Sequence, residues 1–279
     1  MIDLAEAREA LASLPGFAAG GAAVERLSGG HGARSFLVTR NARRYVLRLA
    51  ERGPAAVGRD AFIERQVQAH AARHDLAPAI VHADPGGAWL LSEYLPGRAW
   101  RERDVADCGR LDALAALLRE VHALPLSGTG FDARGAARTY SRLLAARGEQ
   151  PGLATLCRNI IHDAPRAARV ACCHNDLVAG NVIEGDRLRL IDWEFAADNE
   201  PLFDLASLIG WHDLDERRIR RLLAAYAGSD DQAWRDRLDV QRRVFDALQW
   251  LWLAARGGPR HRLDVVAARL RRGEDARAG

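Results

Sequence analysis

The chain has 279 residues, of which 48% are hydrophobic and 28% are charged, and its formal net charge is +3. This composition is typical of a globular protein with one large domain or two lobes, and a small charge spread along the chain provides no basic surface for a nucleic acid or an anionic membrane. The longest strongly apolar stretch, Trp250–Ala255, is too short to cross a bilayer, and residues 1–12 lack the apolar core of a signal peptide. We therefore expect a cytoplasmic protein without nucleic-acid or membrane partners.

The first third of the sequence predicts an antiparallel sheet with one inserted helix. Apolar residues recur at helical spacing in the opening segment and again over residues 58–74, whereas alternation and Gly-containing turns mark the strands. The predicted strands lie at the two ends of Arg26–Val38, which a Gly-rich turn divides, and at Tyr45–Leu49, Ile80–Ala83 and Trp89–Tyr94.

Leu95, Pro96 and Gly97 interrupt this pattern, and beyond them the sequence becomes mainly helical. The predicted helices lie at Cys108–Leu124, Thr139–Arg147, Leu202–Trp211, Glu216–Ala227 and Gln232–Arg256, with one short β segment between Val170 and Ile191. The sequence therefore predicts a β-rich lobe over residues 1–94, a linker at 92–98 and a helical lobe over 99–279, with a cleft between the lobes.

Four cysteines follow no metal-ligand spacing. Cys172 and Cys173 are neighbours on a predicted strand, so their side chains point to opposite faces and cannot share a metal ion. We interpret all four as reduced residues of the core.

The segment Cys172–Ile183 carries the chemistry, together with Ile191-Asp192-Trp193-Glu194 beyond a predicted hairpin. A loop carboxylate, Asp176, can accept the proton of an attacking alcohol. The amide oxygen of Asn181 and the carboxylate of Asp192 are hard ligands of the kind that Mg²⁺ prefers. Phosphoryl transfer needs positioning and charge neutralisation more than covalent chemistry, so this set is sufficient for it. Each residue taken singly is explained equally well as a turn-former or a helix cap.

His174, Asp176 and Asn181 match the H-x-D-x-x-x-x-N motif of the aminoglycoside phosphotransferase and choline kinase superfamily. Residues 191–194 resemble the I-D-W-E motif of its choline, ethanolamine and thiamine kinase branch, and residues 199–206 resemble the segment that follows in that branch. The resemblance implies an α+β, protein-kinase-like fold with a small antiparallel β lobe that contains one helix and a larger, mainly helical lobe.

The same resemblance implies a role for each motif residue. Asp176 is the expected catalytic base, and His174 is expected to brace its loop. Asn181 and Asp192 are the expected Mg²⁺ ligands, and Asp204 is expected to tie the start of a helix to the backbone of the loop.

The resemblance also implies an ATP site in the first lobe. Ser28, Gly29 and Gly30 lie in a Gly-rich turn between strands, where backbone amides can approach phosphates closely. None of the 40 basic residues is lysine, and Arg48 occupies the place of the usual kinase lysine, as in choline-kinase relatives; its guanidinium can fork onto phosphate oxygens. Glu64, on the following helix, is its expected partner. The alternative for both residues is an ordinary surface position.

Ser92–Gly97 resembles the hinge that holds adenine by backbone hydrogen bonds. The carbonyl of Glu93 and the amide of Leu95 are the expected contacts. The implied cofactors are ATP and Mg²⁺.

The substrate is the part that the sequence specifies least. Residues 215–279 contain 15 Arg against 10 Asp and Glu, which disfavours a polycationic aminoglycoside. Aromatic faces bind quaternary ammonium groups by cation–π attraction, and Glu194, Trp211 and Trp250 are the candidate substrate residues. Core packing is the alternative for each Trp, and a nearby Arg, solvent or the metal are the alternatives for Glu194.

We therefore expect an enzyme that transfers the γ-phosphate of ATP to the hydroxyl of a small cationic alcohol of the choline, ethanolamine or thiamine type. The alternatives are an aminoglycoside or sugar kinase of the same fold, or a nucleotide-binding module without turnover.

Overall fold

The computed structural model describes residues 2–14, 16–17, 21–27, 34–50, 59–147, 151–167 and 169–278. The chain divides into two compact units, one formed by Met1–Arg101 and Ala179–Glu194 and the other by Glu102–Val178 and Phe195–Gly279. The α+β class that the sequence predicts is confirmed, with two antiparallel sheets in the first unit and mostly helices in the second.

The first unit is built around a five-stranded antiparallel sheet with the strand order β1-β2-β3-β5-β4. Its strands are β1 (Ala23–Arg26), β2 (Arg34–Arg40), β3 (Arg43–Leu49), β4 (Ile80–Ala83) and β5 (Trp89–Glu93), and its two helices are α1 (Ile2–Ala12) and α2 (Ala61–Arg73). Alternate residues of β2 and β3, including Phe36, Val38 and Leu47, are buried against α1. The other face of β3 is thereby left to polar residues such as Arg48. Asp60 caps α2 by accepting from the amides of Phe62 and Ile63.

A second, three-stranded sheet in the first unit has the order β6-β8-β9. It consists of β6 (Arg98–Ala99), β8 (Val182–Glu184) and β9 (Leu188–Leu190), and a 3₁₀ turn over Ala179–Asn181 leads into β8. Backbone pairing of β6 with β8, extended by a 2.9 Å bond from the Trp100 amide to the Val182 carbonyl, joins residues 179–194 to the first unit. The sequence analysis placed residues 179–194 in the helical lobe. The pairing of β6 with β8 joins residues that are far apart in the chain, so it leaves no local sequence pattern. The extent of the two lobes as folding domains stays a prediction.

The second unit contains eight helices and a pair of short strands among its described residues. The helices are α3 (Glu102–Val105), α4 (Cys108–Val121), α5 (Ala133–Ala145), α6 (Pro151–Asp163), α7 (Leu202–His212), α8 (Glu216–Ala227), α9 (Gln232–Ala255) and α10 (Arg260–Ala278), and the strands are β7 (Ala171–Cys173) and β10 (Ala197–Asn199). Periodicity located α4, α5, α7, α8 and α9, although α5 begins six residues earlier than predicted, at the N-cap Asp132. It missed α3, α6, α10 and β10.

Three of the four cysteines, Cys157, Cys172 and Cys173, are buried in the second unit, and all four are free thiols. Burial raises the pKa of the Cys157 and Cys172 thiols to about 12. These thiols are therefore protonated, unreactive core groups. No described helix combines the length and the hydropathy needed to span a membrane.

Candidate active site

Asn181 and Asp192 lie at the same end of the β8–β9 hairpin. Val182 is paired with Leu190, and the Ile191 amide donates to the Asn181 carbonyl at 3.0 Å. This register places Asn181 just before β8 and Asp192 just after β9, at the open end of the hairpin. Asp192 adopts a left-handed conformation, with φ 67°. Non-glycine residues adopt this conformation rarely, and such strain is concentrated at functional sites.

The donor set at this end of the hairpin fits a hard divalent cation. The Oδ1 atom of Asp192 is buried and accepts no hydrogen bond from the described residues. This oxygen lies 3.4 Å from Nη1 of Arg48, which compensates part of its charge, and a bound divalent cation would compensate it further. Asp192 and the amide of Asn181 both offer oxygen, which is the ligand type that Mg²⁺ selects.

Arg48 lies at the centre of a partly buried charge cluster that consists of Arg48, Arg59, Glu64, Asp192 and Glu194. Its guanidinium forms ion pairs with Glu64, with Glu194 at 2.8 Å and with Asp192 at 3.4 Å. The sequence predicted the pair of Arg48 with Glu64, and the structure brings the two together in the first unit.

Glu194 bridges two arginines. Its Oε2 contacts Arg48 and its Oε1 contacts Arg59 at 2.6 Å, and its side chain is 6% exposed. Of the alternatives open for Glu194, the structure shows contact with arginine. Sequence reasoning missed Arg59, because nothing in the residues around it indicates a partner 135 positions away.

The loop that carries Asp176 is held by Asp204, which is fully buried in the first turn of α7. The amides of His174 and Asn175 donate to the two Asp204 oxygens at 2.9 Å and 2.6 Å. Asn175, at φ 64°, donates its side-chain amide to the carbonyls of Phe195 and Ala197. The Leu177 amide donates to Ser207 at 3.0 Å. These bonds fix the backbone on both sides of Asp176, whose side chain is half-buried.

His174 is fully buried, and its Nδ1 accepts from the Asp176 amide at 3.4 Å. This contact suits the bracing role that the sequence predicts for it.

His122, at the end of α4, extends this network and was not found from the sequence. Its Nε2 is 3.0 Å from Asp204 and its Nδ1 is 2.8 Å from the Tyr226 hydroxyl. Burial alone raises the pKa of Asp204, but the hydrogen bond from His122 and the amides of the loop outweigh it, and the pKa lies below its ordinary value.

Cys173 lies beside His122 and Asp204, in an arrangement that could hold a metal ion. Both His122 nitrogens are already hydrogen-bonded, however, and burial raises the pKa of the Cys173 thiol well above its usual range. We therefore assign this cluster a structural role.

The predicted hinge continues from β5. The Glu93 amide donates to the Ala79 carbonyl and the Tyr94 amide donates to the Arg44 carbonyl. Within the described parts of the chain the Leu95 amide has no acceptor, so this donor is available to a ligand. Ser28, Gly29 and Gly30 lie outside the described residues.

The candidate aromatic residues differ in their accessibility. Trp250 is 2% exposed and packs in the core, and this burial does not support its predicted place in a substrate pocket. Trp211 is half-buried and meets the ring of Trp252 edge-to-face, with centroids 5.9 Å apart. Arg262 lies 6.0 Å from the Trp211 ring and Arg256 lies 4.8 Å from the Trp252 ring.

Comparisons with known proteins identify the family of the chain and proteins of similar fold. A family model described as the phosphotransferase enzyme family matches residues 23–239. A thiamine kinase of Salmonella newport is 35% identical over 156 residues, which are 54% of this chain and 53% of that protein. Protein LicA of Haemophilus influenzae is 36% identical over 88 residues, which are 29% of this chain and 26% of LicA. The matches thus span about half the length of the thiamine kinase and about a quarter of LicA.

Solved structures show the same fold. A choline/ethanolamine kinase family protein from Mesorhizobium loti superimposes with a TM-score of 0.75 at 24% identity, covering 96% of this chain and 94% of that one. The choline kinase LicA from Streptococcus pneumoniae gives a TM-score of 0.76 at 19% identity, with coverages of 97% and 99%. A LicA structure in complex with AMP is also similar, with a TM-score of 0.77 at 20% identity and coverages of 95% and 97%.

We expect Asp204→Asn to destabilise the protein by about 3 kcal/mol at neutral pH, because an amide cannot replace a buried carboxylate that accepts from three donors. The folded pKa of Asp204 is below the ordinary 3.8, so its charge stabilises the fold above about pH 4, and this contribution is lost as the pH falls through the folded pKa. Urea unfolding of parent and variant at several pH values measures the difference, which should shrink at acid pH.

The matched control for this variant is Asp132→Asn, at the exposed N-cap of α5. Asn caps helices as well as Asp does, so we expect a change of less than about 0.5 kcal/mol. Equal losses in the two variants would mean that the Asp204 network is not a special source of stability.

Proposed function

Because the chain belongs to the phosphotransferase enzyme family, we propose that it is an ATP- and Mg²⁺-dependent kinase of a small alcohol. One observation carries the proposal. Asn181 and Asp192 flank the open end of one hairpin, and the Asp192 Oδ1, which accepts no hydrogen bond from the described residues, lies 3.4 Å from Arg48. This combines oxygen ligands for a divalent cation with a cation for phosphate.

Asp176 is the proposed general base. Its backbone is fixed by the Asp204 network, so its half-buried carboxylate can be held where the acceptor hydroxyl arrives. There it would orient the hydroxyl and take its proton as the oxygen attacks the γ-phosphorus. A fixed loop matters because orientation of the nucleophile supplies much of the rate enhancement.

Asn181 and Asp192 are the proposed Mg²⁺ ligands. When bound, Mg²⁺ neutralises the charge that develops on the transferring phosphoryl group. The guanidinium of Arg48 would exchange its contact with Asp192 for phosphate oxygens and keep its contact with Glu64, since it offers five N–H donors in a planar fork.

The hinge supports nucleotide binding because the Leu95 amide, which has no acceptor among the described residues, can donate a hydrogen bond to an adenine nitrogen. A complex with AMP is known for LicA, a protein of similar fold. We propose that Glu93 and Leu95 contact the adenine of ATP.

For the acceptor we propose a small cationic alcohol of the choline, ethanolamine or thiamine type. Support comes from the similarity to a thiamine kinase and from the edge-to-face pair of Trp211 and Trp252, whose rings could take an ammonium group. Arg262 and Arg256 lie over these same rings. A cationic acceptor must displace them, and this favours an uncharged sugar as the second candidate.

Asp176→Asn should lower kcat by about 10²–10⁴-fold, the range expected for loss of a general base. The KM for ATP should change little, because the base contacts the acceptor and not the nucleotide. Steady-state kinetics of the folded variant, checked by circular dichroism, measures both. Near-normal turnover would remove Asp176 from the mechanism.

Asn181→Ala and Asp192→Ala should each raise the Mg²⁺ concentration needed for half-maximal activity and severely reduce turnover, since each removes an oxygen ligand. Titration of activity with Mg²⁺ measures this change. Asp239→Ala is the control, because Asp239 is an exposed carboxylate that pairs with Arg242 on α9. An unchanged Mg²⁺ requirement in both site variants would place the metal elsewhere.

The acceptor is tested by comparing kcat/KM for choline, ethanolamine, thiamine, kanamycin and an uncharged sugar. We expect one of the first three to be preferred, and Trp211→Leu or Trp252→Leu to raise its KM about tenfold, equivalent to 1–2 kcal/mol for a cation–π contact. Trp234→Leu is the control, because Arg237 stacks on that ring elsewhere in α9. Preference for kanamycin or the sugar would refute the cationic acceptor and leave the kinase proposal in place.

A further inference from the structure

The hairpin that carries the proposed metal ligands is too small to hold its own position. β8 and β9 have three residues each, and β6, which pairs with β8 in this sheet, has two. Isolated hairpins of this size are marginally stable in water. Contacts outside the sheet must therefore fix where Asn181 and Asp192 lie.

A forked ion pair joins β9 to the loop after α2. The Nε and Nη2 atoms of Arg189 contact the two oxygens of Asp75, both at 2.8 Å. The same guanidinium contacts Asp186, in the turn of the hairpin, at 2.5 Å. Hydrogen bonds from Arg189 lower the pKa of Asp75 and take that of Asp186 to about 2, so both carboxylates are charged at neutral pH. The side chain of Arg189 is 9% exposed.

Asp75 lies in a loop whose backbone is hydrogen-bonded to β9. It adopts a left-handed conformation with φ 59°, and the carbonyl of the next residue, Leu76, accepts from the Leu190 amide at 2.8 Å. The loop therefore contacts β9 at two consecutive residues. Asp75 binds the side chain of Arg189, and the carbonyl of Leu76 accepts from the main-chain amide of Leu190. Asp75 also follows directly on α2, the helix that carries Glu64, the partner of Arg48.

The turn of the hairpin is fixed on a second side by close backbone contact. A Cβ atom at Gly185 would lie 2.6 Å from the Pro96 carbonyl oxygen, and one at Gly97 would collide with the Glu184 carbonyl. Asp75, Asp186 and Arg189 line a cavity of about 490 Å³ together with hinge residues 93–97. The ion pair thus lies where α2, the hinge and the hairpin meet in the first unit.

We propose that the Asp75–Arg189 ion pair is a positioning device for the metal site. It sets the hairpin against α2, and so keeps Asp192 at the distance from Arg48 that the proposed chemistry needs; this inference rests on the proposed function. Arg189 is three residues from Asp192, and the intervening Leu190 is fully buried and accepts from the indole N–H of Trp193 at 3.1 Å. Displacement of Arg189 is therefore transmitted to Asp192.

This role differs from a simple contribution to stability. Asp75 and Asp186 are well exposed, with 57% and 74% of their side-chain surface accessible, and the buried Arg189 guanidinium still pairs with Asp186 when Asp75 is removed, so we expect a small loss of folding free energy. Groups that orient metal ligands from outside, in contrast, typically change metal affinity by 10–100-fold.

The test is Mn²⁺ binding, measured by electron paramagnetic resonance on the full chain in the presence of ADP. Asp75→Ala should raise the Kd for Mn²⁺ about tenfold, and the exchanged pair Asp75→Arg with Arg189→Asp should recover part of the affinity. Hydrogen exchange of the 182–190 amides, measured without metal or nucleotide, should be faster in Asp75→Ala. The melting temperature should change little.

Asp112→Ala is the matched control. Asp112 receives the same forked contact, from Arg221, but joins α4 to α8 in the second unit. Removal of this pair should leave both Mn²⁺ affinity and hairpin exchange unchanged. Parent-like Mn²⁺ binding and exchange in Asp75→Ala, or an equal rise in Kd in Asp112→Ala, would overturn the proposal.

Failure of the proposed function gives a different result. If Asp192→Ala binds Mn²⁺ as well as the parent does, the metal site itself is misplaced, and the positioning role falls with it. If Asp192→Ala loses Mn²⁺ and Asp75→Ala does not, the metal site stands and only the role of the ion pair is refuted.

Discussion

Burial of the Arg48 guanidinium is the constraint around which the first unit is arranged. A buried cation is tolerated only where carboxylates compensate it, and here Glu64 from α2 and Asp192 and Glu194 from the end of the hairpin converge on it, with Arg59 on the far side of Glu194. By formal charge, two arginines face three carboxylates. The carboxylates exceed the arginines by one charge, and this excess would attract a cation to the end of the hairpin, where the Asp192 Oδ1 accepts no hydrogen bond from the described residues. The same ion pairs thus connect a strand, a helix and a hairpin of the first unit beside the proposed metal ligands.

The absence of lysine gives this cluster its particular form. An ammonium is a compact charge with three donors, whereas a guanidinium has five donors in a plane and can contact several carboxylates at once. Arg48 uses this capacity on three carboxylates. Under the proposed function, it could turn one edge towards phosphate without giving up Glu64. Glu194, held by Arg59 at its other oxygen, would keep its place during that exchange.

Sequence reasoning was most successful where function requires local spacing. The motif from His174 to Asn181 and the I-D-W-E segment could be recognised, and the resemblance to the kinase pattern predicted the pair of Arg48 and Glu64, which the structure contains. Sequence reasoning did not find contacts between residues that are far apart in the chain. The contacts Arg59–Glu194, His122–Asp204 and Arg189–Asp75 join residues that are 135, 82 and 114 positions apart in the chain. The sequence around a single Arg or His does not indicate such a distant partner. Sequence reasoning also failed on α6, which begins with Pro and Gly, residues that indicate a loop unless Pro is recognised as a helix N1 residue.

The proposed base and the proposed metal ligands are held by different physical means. Asp204 is completely buried and accepts hydrogen bonds from His122 and from the loop backbone. A substitution in this network therefore leaves a charge or a donor unsatisfied in the core. Its effect is a loss of stability of the second unit. The hairpin is held by the ion pairs of Arg189 with Asp75 and Asp186, two carboxylates that solvent reaches. Loss of one of these ion pairs therefore costs little folding free energy. Under the proposed role, it changes instead the positions of Asn181 and Asp192. Substitutions in the first network therefore act mainly through the amount of folded protein. Under the proposals above, substitutions in the second would act through metal affinity in a protein that remains folded, and measurement of stability alone would miss them.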